Sequence, residues 1–165
     1  MPVALRLQKR EIPTVEFRAV LPKWLGPGDV ECFIEIDARA AGAINGPFVM
    51  AIEKAMQQHR VSLRKLTKIE DDAMYIAADV KLAASTVRNR LCAIYDHCVI
   101  GWRSNIQVFN DEDITCDITC NRTSLVDLAE LRGVPEIVKA LSDFEAACIE
   151  AGKMLALDDE ETAKN

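Results

Sequence analysis

The chain has 165 residues, of which half are hydrophobic and 28% are charged, so its composition is that of a folded domain and not of a disordered segment. Its 20 basic and 26 acidic residues give a net charge of −6. This charge disfavours a nucleic-acid partner, because phosphate binding requires concentrated positive charge. Only 5% of the residues are aromatic, which predicts an aliphatic core filled out by Ala, Cys and Met.

The N-terminal region lacks the patterns that direct a chain into or across a membrane. Residues 1–7 contain no long apolar run, and charges follow closely at Lys9, Arg10 and Glu11. No apolar run approaches the roughly 18 to 20 residues that a spanning helix needs. We therefore expect a soluble protein in a reducing cytoplasm, with no membrane partner and with its six cysteines as free thiols.

The first part of the chain, residues 1–37, is predicted to be rich in strands. Residues 3–8 and 14–20 alternate apolar and polar side chains, the period of a half-buried strand. Residues 30–36 are rich in residues that favour strands, and a loop containing Pro22 and Gly26 separates them from the preceding segment. We expect these segments to form a small antiparallel sheet.

Residues 45–157 are predicted to be mostly helical. Asn45 and Pro47 are typical of a helix start, with Asn as the cap. A long helix is predicted over residues 79–99, ended by Gly101. Its apolar residues recur at spacings of three and four: Val80, Ala84, Val87, Leu91, Ile94 and Cys98. The predicted fold class is therefore α+β, with a small N-terminal antiparallel sheet followed by a mainly α-helical body in a single domain, residues 1–157.

The last third is predicted to start with a linker, residues 104–121, and to continue as two helices. Ser124 and Asp127 resemble a capping box for the first, and Pro135 starts the second. The second helix carries a seam of the coiled-coil type: Ile137, Leu141, Phe144, Cys148, Ala151 and Leu155. The seam either packs within the domain or offers a docking face to another chain. Residues 158–165 form a predicted disordered acidic tail.

The repeat DITCDITCN, residues 113–121, contains the one pair of closely spaced cysteines that could suggest a metal or redox site. In a strand, Ile114, Cys116, Ile118 and Cys120 would share one face and the intervening polar residues the other, which favours a half-buried strand. The alternative is a metal site, in which His59, His97 or Cys98 would supply further ligands.

The chain has no catalytic or phosphate-binding motif, so the sequence predicts a protein that is not an enzyme and has no cofactor. The acidic runs 70–72 and 111–113 are typical of solvated loops. The basic run 60–68 is either a solvated surface or a site for an anionic partner. Trp102 either covers the edge of the core or anchors a partner.

The order of features in residues 82–155 resembles that of a known family. A long helix runs into Val99-Ile-Gly-Trp102, an acidic turn follows at residues 110–113, and helices open at Asn121-Arg-Thr-Ser-Leu-Val-Asp-Leu and Val134-Pro-Glu-Ile-Val-Lys-Ala-Leu. This order is similar to that in the tail assembly chaperones of long-tailed bacteriophages and prophages.

The resemblance implies a non-enzymatic protein of the host bacterial cytoplasm that binds the helical tape measure protein and the tail tube subunits, and that can form a homo-oligomer. The residues predicted to bind the partner are Trp102, Ile137, Leu141, Phe144 and Leu155. Two alternatives remain open. The chain could be a structural minor tail or tail-completion protein retained in the virion, or a small cysteine-based metal-binding regulatory module.

Overall fold

A computed structural model describes residues 11–109, 115–130 and 133–162, with side chains described as far as Lys153. The predicted strand at residues 3–8 lies outside these ranges. The described chain is mixed α and β, with an N-terminal three-stranded antiparallel sheet, a second small sheet and helices α1 to α4, so the predicted fold class is confirmed.

The main sheet has the order β1-β2-β3, with β1 at Thr14–Leu21, β2 at Cys32–Arg39 and β3 at Val99–Ser104. The first two strands match the predicted segments, and a short 3-10 turn at Lys23–Leu25 lies between them. The register places Ile36 of β2 between Phe17 and Trp102, and this face packs against the core.

The opposite face of the sheet is charged. Glu35 lies between Arg18 and Arg103 in the register, and its carboxylate accepts hydrogen bonds from both guanidinium groups. Opposite charges directly across neighbouring strands stabilise the pairing. The sheet is therefore apolar on one face and charged on the other, as the alternating sequence pattern predicts.

The prediction that Gly101 ends a helix is wrong. The helix ends at His97 with Cys98 as its C-cap, and Gly101 lies inside β3, where it pairs with Asp37. The residues around Gly101 include Val99, Ile100 and Trp102, which favour strands, and the edge of β2 provides a partner for their backbone. Tertiary pairing therefore overrides the helix-ending tendency of the glycine.

Helix α1 spans Gly46–Leu66 and starts as predicted, since the Oδ1 atom of Asn45 accepts a hydrogen bond from the Phe48 N–H. Helix α2 spans Asp72–His97 and so begins before the predicted start at Asp79. Its cap is Asp71, whose carboxylate accepts from the Met74 N–H at 2.8 Å.

The predicted linker contains a second sheet, in which β4 at Gln107–Phe109 pairs antiparallel with β5 at Thr115–Asp117. Helix α3 follows at Arg122–Glu130. Its capping side chain is Asn121, which accepts from the Ser124 N–H at 2.9 Å, so the predicted capping by Ser124 is wrong.

Helix α4 spans Pro135–Thr162 and starts at the predicted proline. Its backbone passes through the predicted boundary at residue 157, so the first part of the predicted tail continues the helix, while residues 163–165 lie outside the described ranges. Gly152 in α4 lies so close to the chain after β2 that a Cβ atom there would overlap the Ala41 carbonyl.

The core lies between the inner face of the main sheet and the helices α2, α3 and α4. Phe144 of α4 is at its centre, with its ring 5.6 Å from that of Phe17 and 6.2 Å from that of Tyr95. Strand β2, the C-terminal part of α2, and α3 add further fully buried side chains, namely Ile34, Ile36, Ile94 and Leu125. We call this part of the molecule the body.

Helix α1 and residues 72–90 of α2 form a helical hairpin that we call the arm. Helix α1 makes its main contacts with α2. Within residues 72–90 every side chain is exposed except Ala78, Leu82 and Asn89, which are half-buried. The arm therefore leaves most of its surface in solvent.

Candidate functional site

The apolar seam of α2 continues from the body into the arm without a break in its spacing. In the body half, Leu91 and Ile94 are 9% and 1% exposed. In the arm half, Val80 and Val87 are 65% and 60% exposed. In most helices, a face with regularly spaced apolar residues over several turns is buried along its whole length against another element. Here half of it has no partner within the described part of the chain.

The exposed half of the seam forms one wall of an open cleft with a volume of about 1360 Å³. The opposite wall is made by the end of α3 and the start of α4, with Ala129, Pro135 and Val138 among its lining residues. A cleft between helices with apolar residues on both walls suits an amphipathic helix, which would bury its own apolar face against both walls.

Charged residues lie along the rim of this cleft. The Arg88 guanidinium donates to both carboxylate oxygens of Glu130, at 2.9 and 2.7 Å, and so links α2 to α3. Lys139 pairs with Asp143 along α4 at 2.6 Å. Exposed pairs of this kind contribute at most about 1 kcal/mol. A docking helix could therefore replace them at low cost.

Three of the residues predicted to bind a partner do not lie at the surface. Ile137, Leu141 and Phe144 are at most 1% exposed and belong to the core. Of the two alternatives for this seam, packing within the domain holds at these residues, because α4 contacts the main sheet and α3. Their binding to a partner stays a prediction. The side chain of Leu155 lies outside the described part of the chain.

Trp102 lies at the edge of the core. It is half-buried, packs against the core cluster, and its indole N–H donates to the Asn121 carbonyl at 2.8 Å. This contact joins β3 to the start of α3. The indole thus has an intrachain role, and its binding to a partner stays a prediction.

The two cysteines of the DITCDITCN repeat differ in their surroundings. Cys116 is half-buried in β5 opposite Val108, and Ile118 is half-buried in the same alternation. Cys120 is exposed and leaves the alternation, because β5 ends at Asp117. Within the described residues no group of three or more His, Cys, Asp or Glu side chains is placed to hold a metal ion.

Two cysteines in the core of the body, Cys98 and Cys148, have a raised pKa. Burial raises the pKa of Cys98 to about 11 and that of Cys148 to about 12, so both are protonated at neutral pH. A protonated thiol is a poor nucleophile and a poor metal ligand. These two cysteines therefore act as small apolar side chains.

A partly buried polar contact joins α2 to α4 near these thiols. The Tyr95 hydroxyl donates to the Glu145 carboxylate at 3.3 Å. Burial raises the pKa of Glu145, and burial together with the Glu145 charge raises that of Tyr95. Neither group lines the cleft. The contact stabilises the packing of the two helices and stays separate from the candidate site.

The spacing of the apolar residues predicted the seam of α2 but not the exposure of Val80 and Val87. Periodicity marks an apolar face, whereas its exposure depends on where the neighbouring helices lie. Polar and charged residues around the seam, such as Asp79, Lys81 and Arg88, were the available signal that this half reaches solvent.

No protein-family model, no curated protein and no solved structure matches this chain. Among the described residues, none of the helices combines the length and the apolar character needed to cross a bilayer.

Proposed function

We propose that this protein is a non-enzymatic chaperone of phage tail assembly that binds amphipathic helices of the tape measure protein in the cleft between α2 and α4. The observation that carries the proposal is the exposed half of the α2 seam, where Val80 and Val87 face an open apolar cleft. The order of features in residues 82–155 resembles that of tail assembly chaperones, and this resemblance supports the choice of client.

The expected affinity of one cleft for one helix is low. Burial of apolar surface contributes about 25 cal/mol per Å², and the exposed seam offers two valines flanked by alanines such as Ala83 and Ala84. Association also costs translational and side-chain freedom. A long helical client would compensate by offering many sites to several copies, so that the complex depends on multivalency.

The binding role is tested with a tape measure protein and a tail tube subunit, sought among the reading frames that neighbour the gene for this chain. The wild-type chain is expected to bind the tape measure protein in a calorimetric titration. The double variant Val80→Asp with Val87→Asp is expected to lose this binding, because it places two charges on the apolar wall that α2 contributes to the cleft. The matched control is Val61→Asp, an exposed valine on α1 that does not line this cleft.

Equal binding by the double variant and the control would overturn the proposed site. The absence of any binding by the wild-type chain to either tail component would overturn the proposed function.

The chaperone role is tested separately from a structural one. A chaperone acts in the host cytoplasm and is absent from the assembled particle, so intact tails sedimented from a lysate should lack this chain. Its retention in those particles at a fixed ratio to the tube subunit would show instead a minor tail or tail-completion protein.

A further inference from the structure

Strand β1 lies at the edge of the main sheet and has a neighbour on one side only within the described part of the chain. It is the first strand in the order β1-β2-β3, so it pairs with β2 alone. Among the described residues, the hydrogen bonds of its backbone all go to β2. The other row of N–H and C=O groups on an edge strand can pair with a further strand. We call this side of the strand the β1 edge.

The β1 edge lacks most of the features by which proteins prevent the pairing of edge strands. Protected edges are usually short, or they carry prolines, lysines or bulges. Strand β1 has 8 residues and contains neither proline nor lysine. Its register with β2 runs without a shift from Thr14 to Leu21, whereas the pairing of β2 with β3 shifts between Asp37 and Ala38. The β1 edge is therefore a regular template for another strand.

The apolar face of the sheet is incomplete at the β1 edge. The three inward-facing residues of β1 pack against the core but are only half-buried, namely Val15, Phe17 and Ala19. Their partners on β2 are at most 1% exposed, namely Ala38, Ile36 and Ile34. A further strand beside β1 would cover the apolar surface that these three side chains still expose.

The outward-facing side of β1 carries two opposite charges, and one of them has an unfavourable neighbour. Glu16 lies opposite Asp37 of β2, and both side chains are exposed. Like charges directly opposite each other on neighbouring strands destabilise the pairing. Two residues further along, Arg18 forms ion pairs with Glu35 and Glu31. A cation placed beside Glu16 on the β1 edge would offset its repulsion by Asp37.

We propose that a second copy of this chain pairs its β1 with the β1 edge, antiparallel, about a two-fold axis beside Phe17. In this register Phe17 of one copy lies opposite Phe17 of the other. Val15 lies opposite Ala19 of the second copy, and Glu16 lies opposite Arg18 of the second copy. The two three-stranded sheets then form one continuous sheet. Aromatic pairs and opposite charges across neighbouring strands both stabilise such pairing.

The charges select this register among those that a two-fold axis allows. Opposite residues of an antiparallel pair point to the same face, so the apolar face is continuous only when the axis passes beside a residue. An axis beside Glu16 or beside Arg18 would bring that residue against its own copy, and like charges would meet. The register centred on Phe17 is the one that brings Glu16 against Arg18, and symmetry repeats this contact.

The same pattern favours a second copy over an unrelated strand, because a two-fold interface must be complementary to itself. In β1 an acid and a base flank a central aromatic residue, so the strand meets this condition. The pairing does not rest on the proposed function, since β1 contributes no residue to the lining of the cleft. A dimer carries two clefts, which would raise its avidity for a long helical client.

Sedimentation equilibrium of the full chain over a concentration series tests the second copy. We expect the wild type to be a dimer. Glu16→Lys places like charges opposite Arg18 at both contacts, so the dissociation constant of the dimer should rise about tenfold. Asp37→Lys is the matched control, because it makes the same change of charge on the neighbouring strand β2, away from the β1 edge. It is expected to leave the dimer unchanged.

Both substitutions remove the repulsion between Glu16 and Asp37 within one chain, so neither is expected to unfold it. Circular dichroism checks this, and a weaker Glu16→Lys dimer with an unchanged spectrum reports on the interface. A monomeric wild type, or equal weakening of the dimer by both variants, would overturn the proposal.

Charge exchange tests the register. Variant one carries Glu16→Lys, and variant two carries Arg18→Glu. Each variant alone places like charges at both contacts. In the mixed dimer the new lysine faces the new glutamate, and the unchanged Arg18 of variant one faces the unchanged Glu16 of variant two. The variants are therefore expected to dimerise weakly alone and to form a heterodimer when mixed. Mixing that restores no association would overturn the arrangement.

Hydrogen exchange separates a second copy from the chain's own residues 1–10, which lie outside the described ranges. Pairing between copies should protect residues 14–20 more strongly in a concentrated sample than in a dilute one. Equal protection at all concentrations would assign the β1 edge to a segment of the same chain and overturn the proposal.

These measurements use no client, so their outcome is distinguishable from that of the proposed function. A monomeric wild type that still binds the tape measure protein would overturn only the second copy. A dimer that binds neither tail component would overturn only the proposed function.

Discussion

Helix α2 belongs to both the arm and the body, but its apolar seam is exposed in the arm and buried in the body. In the body, Leu91 and Ile94 belong to the core and are at most 9% exposed. In the arm, Val80 and Val87 continue the same spacing and stay more than half exposed. The difference shows that a regular seam encodes the need for a partner, while the chain topology decides whether that partner lies within the same chain.

The largest expected effect of a single substitution is at the centre of the body. Phe144→Ala removes a fully buried ring that contacts Phe17 and Tyr95. We expect the free energy of unfolding to fall by about 3 to 5 kcal/mol, measured by urea denaturation followed by circular dichroism. Val87→Ala in the arm is the contrasting variant, and it should change the stability by less than about 0.5 kcal/mol. Similar losses for the two variants would contradict the division into a packed body and an exposed arm.

The second prediction concerns the close approach of α4 to the chain after β2. Gly152→Ala places a methyl group against the backbone carbonyl of Ala41, which cannot move as a flexible side chain would. We expect a loss of about 1 to 3 kcal/mol from this overpacking, measured in the same way. Gly133→Ala, where an added methyl group would meet open space, is the control. A neutral Gly152→Ala would show that the two segments separate at little cost.

The third prediction concerns the base of the arm. Asn45 is buried, caps α1, and its side-chain amide donates to the carbonyls of Ala40 and His97, each at 3.2 Å. Asn45→Ala should destabilise the protein by about 1 to 2 kcal/mol. Hydrogen exchange should speed up most in the first turns of α1. Asn121→Ala removes the exposed cap of α3 and should cost less. An unchanged exchange rate in α1 would show that Asn45 does not join the arm to the body.

The elements that depend on local sequence were predictable. Strand β1 follows from alternation and β2 from its residues that favour strands, and α1 and α4 start where Asn45, Pro47 and Pro135 indicate. The predictions were wrong where contact with a segment distant in the sequence determines the local structure. Gly101 lies in a strand because β2 offers it a partner.

In the candidate site, too, some features were predictable from the local sequence and others depend on the tertiary structure. The seam of α2 was predictable from its spacing, but the exposure of Val80 and Val87 was not, since exposure depends on the position of α3 and α4. For the same reason, the spacing of the α4 seam left packing within the domain and docking to another chain both open, and the fold buries Ile137, Leu141 and Phe144. The periodic spacing of apolar residues alone does not show whether a helix face is buried or exposed.

The smallest expected effect is the pH dependence from Glu145. Burial raises the pKa of this carboxyl, although Arg90 and Tyr95 act in the other direction. A raised pKa in the folded state means that the folded protein holds the proton more tightly than the unfolded chain does. Glu145 therefore lowers the stability as the pH rises from its ordinary pKa, about 4.3, through its folded value.

Glu145→Gln should remove this loss. The free energy of unfolding of this variant, relative to that of the wild type, should be higher at pH 7 than at pH 4 when both are measured by urea denaturation. A relative stability that does not change with pH, or that changes in the opposite direction, would show that Glu145 is not buried against Tyr95 as described.

The proposal that the exposed half of the α2 seam binds a helix is tested by hydrogen exchange along α2, measured by mass spectrometry on the isolated chain and on its mixture with the tape measure protein. We expect residues 91–97 to be protected in both samples, and residues 76–88 to gain protection only when the tape measure protein is present. Equal protection of the two halves in the isolated chain, with no change on mixing, would contradict it.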